Sequence, residues 1–157
     1  TTALDVTVQA QILELLAELV DDFDMGLLLI THDLGVVAEM ADETLVMYAG
    51  RIAERGPTDT VFRHMAHPYA AGLFGAVPTA GRGRRLAAIP GRVPQPGEIA
   101  HGCPFRPRCP RASEICADEP PWRRLARGQT GEHRVLCHHP LEPGDGWPIA
   151  GGGERRP

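Results

Sequence analysis

The chain has 157 residues, of which 43% are hydrophobic and 5% aromatic, and a formal net charge of −4 at pH 7. This length allows one ordinary domain, or part of one with a small appendage, and no apolar run reaches the roughly 18 residues of a membrane span. Residues 1–78 carry a net charge of −9 and residues 79–157 one of +5, which indicates two modules with different surroundings.

Helical spacing of apolar residues marks the first predicted element. Val8, Ile12, Leu15 and Leu19 recur on one side of a helix that begins at residue 5 or 7 and ends near residue 22. The continuous apolar run over residues 27–30 is too short for a helix. It predicts a strand that is buried on both faces of a parallel sheet.

A short helix and two strands follow. Asp33 is placed to cap a helix that ends near residue 40. Residues 44–48 and 51–55 predict two antiparallel strands joined by a tight turn at Ala49 and Gly50. The alternation of helix and strand is typical of an α/β layer.

From Pro57 onward the chain is rich in proline and glycine, which favours short elements and loops. We predict short helices over 58–65 and 69–74, a linker over 79–97 with a brief strand at 85–89, a cysteine-bearing module over 102–140, and a frayed tail over 147–157.

His32 follows the predicted strand and precedes the next helix. Ligands of open α/β sheets bind outside the carboxyl ends of the strands, where an imidazole can donate to a phosphate oxygen or orient a water. A single histidine in this position is also compatible with a purely structural role.

Two motifs together resemble the ATP-binding-cassette ATPases over about residues 1–60. They are Thr1-Thr2-Ala3-Leu4-Asp5 and Leu28-Leu29-Ile30-Thr31-His32-Asp33-Leu34, and Tyr48-Ala49-Gly50-Arg51-Ile52 also fits the family pattern. The resemblance implies the C-terminal part of a P-loop NTPase domain of α/β fold. It implies that His32 is the catalytic switch histidine that contacts the γ-phosphate. It further implies that Asp5 is the acid of a nucleotide-site loop facing a second ATPase subunit.

The sequence has no lysine, because all 16 basic residues are arginine, and so it has no phosphate loop of the GxxxxGK[ST] type. The resemblance places the phosphate loop, the signature motif and the Walker B acids before Thr1. ATP and Mg²⁺ would therefore be bound by the parent protein, and we expect no ATPase activity from the 157-residue chain alone.

The four cysteines are Cys103, Cys109, Cys116 and Cys137, spaced C-x5-C-x6-C-x20-C in a module with few apolar residues. A small core of this kind favours a covalent or metal staple. Disulfides are one possibility, although thiols stay reduced in the cytosol. Zinc normally uses shorter spacings, and an iron–sulfur cluster tolerates varied ones, so the spacing leaves both metals open.

A second resemblance covers about residues 66–140. His67-Pro68-Tyr69-Ala70, the segment from Gly102 to Pro110, Cys116 and the segment from His133 to Cys137 are similar to the C-terminal extension of oligopeptide/dipeptide importer ATPases. In that family four such cysteines bind an iron–sulfur cluster. The resemblance therefore implies a [4Fe–4S] cluster, with zinc as the alternative, and nearby arginines that offset its charge.

Together these observations predict part of the ATPase domain at 1–65, a small irregular cysteine-rich extension at 66–140 and a flexible tail at 141–157. The implied function is ATP-driven oligopeptide or dipeptide uptake at the cytoplasmic face of the cell membrane. The implied partners are a second ATPase subunit, permease subunits and an extracytoplasmic peptide-binding protein. The alternative is a zinc-binding interaction module or a nucleic-acid-binding module built on the basic half, although no nucleic-acid recognition motif is present.

Overall fold

The computed structural model describes residues 6–76, 88–95, 97–98, 101–125 and 132–145. Asp5, most of the predicted linker and the chain beyond residue 145 lie outside these residues. The chain divides into two compact units, Thr1–Asp42 and Glu43–Pro157. The predicted domain limits at residues 65 and 140 stay predictions.

The first unit contains two helices that agree with the sequence patterns. Helix α1 spans Val6–Phe23, and helix α2 spans Leu34–Met40. The carboxylate of Asp33 accepts hydrogen bonds from the backbone N–H groups of Gly35 at 2.9 Å and Val36 at 3.3 Å. These bonds satisfy two of the N–H groups left open at a helix start, so the predicted cap is confirmed.

The predicted buried strand over residues 27–30 is wrong in this structure. The segment has no strand assignment, and the side chains of Leu28 and Ile30 are 81% and 90% exposed. A strand needs hydrogen bonds to a neighbour, and every strand pair among the described residues involves other segments. The apolar stripe of α1 is also largely exposed at Val8, Ile12 and Leu15.

The second unit is built on a four-stranded sheet in the order β1-β2-β4-β3. Its strands are β1 (Glu43–Tyr48), β2 (Arg51–Pro57), β3 (Trp122–Leu125) and β4 (His133–Leu136). The predicted β1–β2 hairpin is confirmed, and positive φ angles at Ala49 and Gly50 give the tight turn. All described pairs are antiparallel, which corrects the expected parallel sheet.

Helices α3 (Thr58–Arg63) and α4 (Pro68–Gly75) follow the hairpin, close to the predicted ranges. The cysteine-bearing segment adds two short 3-10 helices, Arg106–Arg108 and Glu114–Ala117. It then contributes β3 and β4, of which β4 pairs with β2. The cysteine-bearing segment is therefore part of the same sheet as the hairpin.

An aromatic trio joins the hairpin, α4 and the cysteine-bearing segment. The ring centroids of Tyr48 and Tyr69 are 4.6 Å apart, those of Tyr48 and Phe105 are 5.1 Å apart, and those of Tyr69 and Phe105 are 5.5 Å apart. Phe105 is fully buried, and Cys103 and Cys116 belong to the same apolar group. Packing of this trio fixes the cysteine-bearing segment against the sheet.

Candidate functional site

His32, the predicted γ-phosphate contact, is an exposed residue of the first unit, just before the cap of α2. The neighbouring Thr31 hydroxyl accepts the backbone N–H of Asp33 at 3.0 Å and shapes the turn. Within the described residues His32 makes no hydrogen bond or ion pair, and its ring is accessible to a ligand. Asp5 lies outside the described residues, so the roles of both residues stay predictions.

The four cysteines of the second unit line one cavity. Cys103, Cys109, Cys116 and Cys137 are all free thiols, and three of them are buried. The backbone N–H of Cys103 donates to the carbonyl of Cys116 at 3.1 Å, which joins the first and third cysteine segments. The structure thus brings together four sulfurs that the sequence spreads over 35 residues.

Gly102 makes this approach possible. Its φ angle is +77°, and a Cβ atom built on it would clash with the backbone carbonyl of Ala117. Only glycine adopts this conformation without strain and leaves room for the backbone of Ala117. The glycine before Cys103 is therefore required for the first cysteine segment to lie against the third.

Backbone N–H groups surround the sulfurs. The N–H of His139 donates to Sγ of Cys137 at 3.3 Å, and Phe105 and Arg111 provide N–H groups to Cys103 and Cys109. In each case the donor is two residues after the cysteine. Hydrogen bonds of this kind stabilise a negatively charged sulfur, which is the form that binds metals.

Burial raises the pKa of all three of these thiols, to about 11 for Cys109 and about 12 for Cys137. The neighbouring cysteines raise the pKa values further, because each ionised sulfur would repel the next one. The backbone N–H groups act in the opposite direction. Without a bound metal cation in the cavity, these thiols stay protonated at neutral pH.

Four sulfur atoms line the cavity, but they are not arranged as ligands around a metal ion. In the part of the chain that the structure describes, no group of three or more His, Cys, Asp or Glu side chains has a geometry that could hold a metal ion. His138, His139 and Arg106 also line the cavity. His139 is held by the Ser113 hydroxyl at 2.7 Å.

A buried carboxylate that no sequence pattern predicted anchors the wall of this cavity. Glu54 on β2 is fully buried. Its oxygens accept the backbone N–H groups of Ala66 at 2.8 Å and His67 at 2.7 Å, and Nε2 of His133 lies at 2.7 Å. An ionised carboxylate is acceptor-only, so it suits three converging donors. Glu54 thereby joins β2, β4 and the loop before α4.

His67 is the second residue that the sequence analysis did not assign to the site. It is 3% exposed, caps α4 by accepting the backbone N–H of Tyr69 on Nδ1 at 3.0 Å, and lines the cavity of the four cysteines. Burial lowers its pKa from 6.5 to about 4, so the ring is neutral at physiological pH. The sequence signals at this position were the His-Pro pair, which is typical of a helix start, and the family resemblance of residues 67–70.

Residues 53–116 match the family described as "Oligopeptide/dipeptide transporter, C-terminal region". The match includes most of β2, helices α3 and α4 and three of the four cysteines. The chain is also 48% identical over 143 residues to the oligopeptide transport ATP-binding protein of Salmonella typhimurium, covering 90% of this chain and 42% of that protein. It is 46% identical over 144 residues to the dipeptide transport ATP-binding protein of Escherichia coli, covering 90% and 43%.

Residues 53–116 therefore carry the C-terminal region of oligopeptide/dipeptide transporters, and over most of its length the chain is similar to peptide transport ATP-binding proteins. A putative peptide import ATP-binding protein of Brucella ovis is 51% identical over 123 residues, covering 74% of this chain and 36% of that protein. The chain spans less than half the length of these relatives. The alternative of a zinc-binding or nucleic-acid-binding module has no support from these similarities. Among the described residues no helix is both long and apolar enough to cross a membrane.

Proposed function

We propose that this chain is part of the ATP-binding subunit of an importer that couples ATP hydrolysis to the uptake of oligopeptides or dipeptides. The observation that carries the proposal is the 48% identity to an oligopeptide transport ATP-binding protein over 90% of the chain. The mixed helix and strand fold is compatible with the C-terminal part of a P-loop NTPase domain followed by a cysteine-rich extension.

In this proposal His32 senses the γ-phosphate of ATP. The side chain is exposed and lies beside the start of α2. The side chains of Asp33 and Thr31 there already accept backbone hydrogen bonds. This arrangement leaves the imidazole available to donate a hydrogen bond to phosphate or to orient the attacking water. Asp5 would communicate with the second ATPase subunit, and residues absent from this sequence would bind Mg²⁺ and the β-phosphate.

The partners follow from the same proposal. ATP binding closes a pair of ATPase subunits, and hydrolysis reopens it, which drives the permease subunits through their cycle. A peptide-binding protein outside the membrane delivers the substrate. The chain would then act at the cytoplasmic face of the membrane as a peripheral subunit.

A chimera tests this proposal. The region of the Salmonella protein that aligns with this chain is replaced by it, and uptake of a labelled tripeptide is measured in cells that lack the native subunit. We expect the chimera to restore uptake, His32→Ala to abolish it, and His101→Ala, a matched exposed histidine outside the motif, to have no effect. A stable chimera without uptake, or a His32→Ala variant with normal uptake, would contradict the proposal.

We propose further that Cys103, Cys109, Cys116 and Cys137 hold a [4Fe–4S] cluster. The support is one cavity lined by four free thiols, with backbone N–H groups placed on three of the sulfurs. Bound there, the cluster would join the cysteine segments to one another and provide a one-electron centre.

Metal analysis of anaerobically purified protein tests the cluster. We expect about four irons per chain, visible absorption from iron–sulfur charge transfer, and loss of both when two cysteines are replaced by serine. Colourless protein with one zinc per chain would establish the zinc alternative and exclude the cluster.

A further inference from the structure

Three arginines lie side by side on neighbouring strands of the sheet. Arg55 on β2 is the register partner of Arg134 on β4, which is in turn the register partner of Arg124 on β3. Directly opposite residues lie on the same face of a sheet, and adjacent strands are about 5 Å apart, so the three side chains share one face over about 10 Å. We call these three residues the arginine row.

Like charges in this register repel one another, so the arginine row is stable only beside an anion. The carboxylate of Glu132 is such an anion. It lies 2.6 Å from Nη2 of Arg134, 3.4 Å from Nε of Arg124 and 3.9 Å from Nη2 of Arg55. The hydrogen bond from Arg134, together with the charges of the three arginines, lowers the pKa of Glu132, so this carboxylate is ionised at neutral pH.

One carboxylate does not satisfy the arginine row. Within the ranges that the structure describes, no second acid lies within ion-pair distance of these arginines, so three guanidinium charges face one carboxylate charge and leave an excess of two. Nε of Arg134 is also buried without a hydrogen-bond partner in those ranges. A guanidinium has donors only, and an unpaired buried donor costs free energy. The row therefore has positive charge and N–H donors left for a further anion.

We propose that the arginine row binds a dianion of the phosphate class, either free phosphate or the phosphate group of a small ester. A phosphate group carries a charge of about −1.5 to −2 at neutral pH, which matches the excess, and planar guanidinium groups bind its oxygens through paired N–H donors. The side chains of Arg55 and Arg124 are 46% and 76% exposed, so an anion reaches them from solvent. The inference depends neither on the transport proposal nor on the cluster.

Trp122 provides a reporter beside the arginine row. It lies two residues before Arg124 on β3, so both side chains are on the same face, and it is 46% exposed. The sequence has two tryptophans, and Trp147→Phe leaves Trp122 as the only one. The fluorescence of the full chain with Trp147→Phe therefore reports on an anion bound at the row.

The experiment is a titration of this protein with inorganic phosphate and, separately, with glycerol phosphate, at neutral pH and constant ionic strength. We expect saturable binding at about millimolar concentration. Because the anion binds only the folded chain, phosphate at about ten times its dissociation constant should lower the unfolding equilibrium constant about elevenfold in urea denaturation. The probe that binds more tightly identifies the source of the phosphate group as the free ion or an ester.

Arg124→Gln tests the row with little risk to the fold, because this side chain is largely exposed on an edge strand. We expect it to weaken phosphate binding at least about tenfold, since it removes charge-assisted hydrogen bonds. The matched control is Arg63→Gln, which removes an exposed arginine of α3 that pairs with Asp59 at 3.2 Å, and we expect it to leave binding unchanged.

Glu132→Gln gives a change in the opposite direction. It removes the carboxylate that competes with phosphate for the row, so we expect binding to strengthen at least about threefold. Glu119→Gln, which removes an exposed acid elsewhere, should have no effect. Folded wild-type protein without saturable binding, equal weakening by Arg124→Gln and Arg63→Gln, or weaker binding after Glu132→Gln would overturn the inference.

Discussion

Replacing Glu54 with glutamine exchanges one carboxylate oxygen for an amide group in a side chain that is fully buried. The two oxygens of Glu54 meet three donors, namely the backbone N–H groups of Ala66 and His67 and Nε2 of His133. Glutamine has nearly the same size and offers only one oxygen. At least one backbone N–H group would then face an N–H donor.

The magnitude follows from the bonds that are lost. A hydrogen bond to a charged group contributes about 1.5–3 kcal/mol, and a buried donor left without a partner costs about 1–3 kcal/mol. Glutamine retains one acceptor, so we expect Glu54→Gln to lower the free energy of unfolding by about 3 kcal/mol. Glu54→Ala would leave all three donors unpaired and be more destabilising.

Urea denaturation followed by tryptophan fluorescence and circular dichroism measures the effect. Glu119→Gln is the matched control, because Glu119 binds Arg51 at 2.6 Å while its side chain is 62% exposed. An exposed ion pair contributes at most about 1 kcal/mol. Equal effects of the two substitutions, or a loss below about 1 kcal/mol for Glu54→Gln, would refute the view that Glu54 anchors the cavity wall.

Three further predictions concern the cavity. The pKa of His67 falls from 6.5 to about 4 on folding, so stability is constant above pH 6.5 and decreases as the pH falls toward 4. We expect a loss of about 2 kcal/mol at pH 5 that is absent in His67→Asn, and an unchanged pH slope in that variant would contradict it. Gly102→Ala combines a strained backbone with a clash against Ala117, so we expect it to lower the free energy of unfolding by more than about 2 kcal/mol. Gly144 also has a positive φ angle but faces open space, so we expect Gly144→Ala to cost only about 1 kcal/mol in the same denaturation assay. Cys137→Ser removes one sulfur, and we expect iron per chain to fall at least about tenfold by atomic absorption; retention of full iron would exclude that ligand.

Local signals predicted much of the fold. The helical spacing of apolar residues located α1, Asp33 located the start of α2, and the Ala-Gly turn located the β1–β2 hairpin. These features depend on residues within one or two turns of each other, so the sequence pattern is sufficient to find them.

Elements that depend on distant partners were not predicted. The apolar residues 27–30 have the composition of a buried strand, yet among the described residues they have no strand to pair with. Strand β4 pairs with β2 across about 80 residues, and no local pattern indicates that register. Sequence reasoning therefore found the hairpin and missed the sheet to which it belongs.

The candidate site divides in the same way. The four cysteines are conspicuous in the sequence, and their spacing and the family resemblance together indicated one metal site. Glu54 and His67 were missed because their importance comes from donors and acceptors elsewhere in the chain. One signal was available for Glu54. The alternation of strand β2 places it on the same buried face as Gly56, which packs against His133.

The initial rate of peptide uptake by cells that carry the chimera tests the central claim most directly. The account predicts ATP-dependent uptake that is lost when His32 becomes alanine and kept when His101 does. Uptake that is absent from a well-expressed chimera, or that does not depend on His32, would contradict the proposal that this chain is part of a peptide-import ATPase.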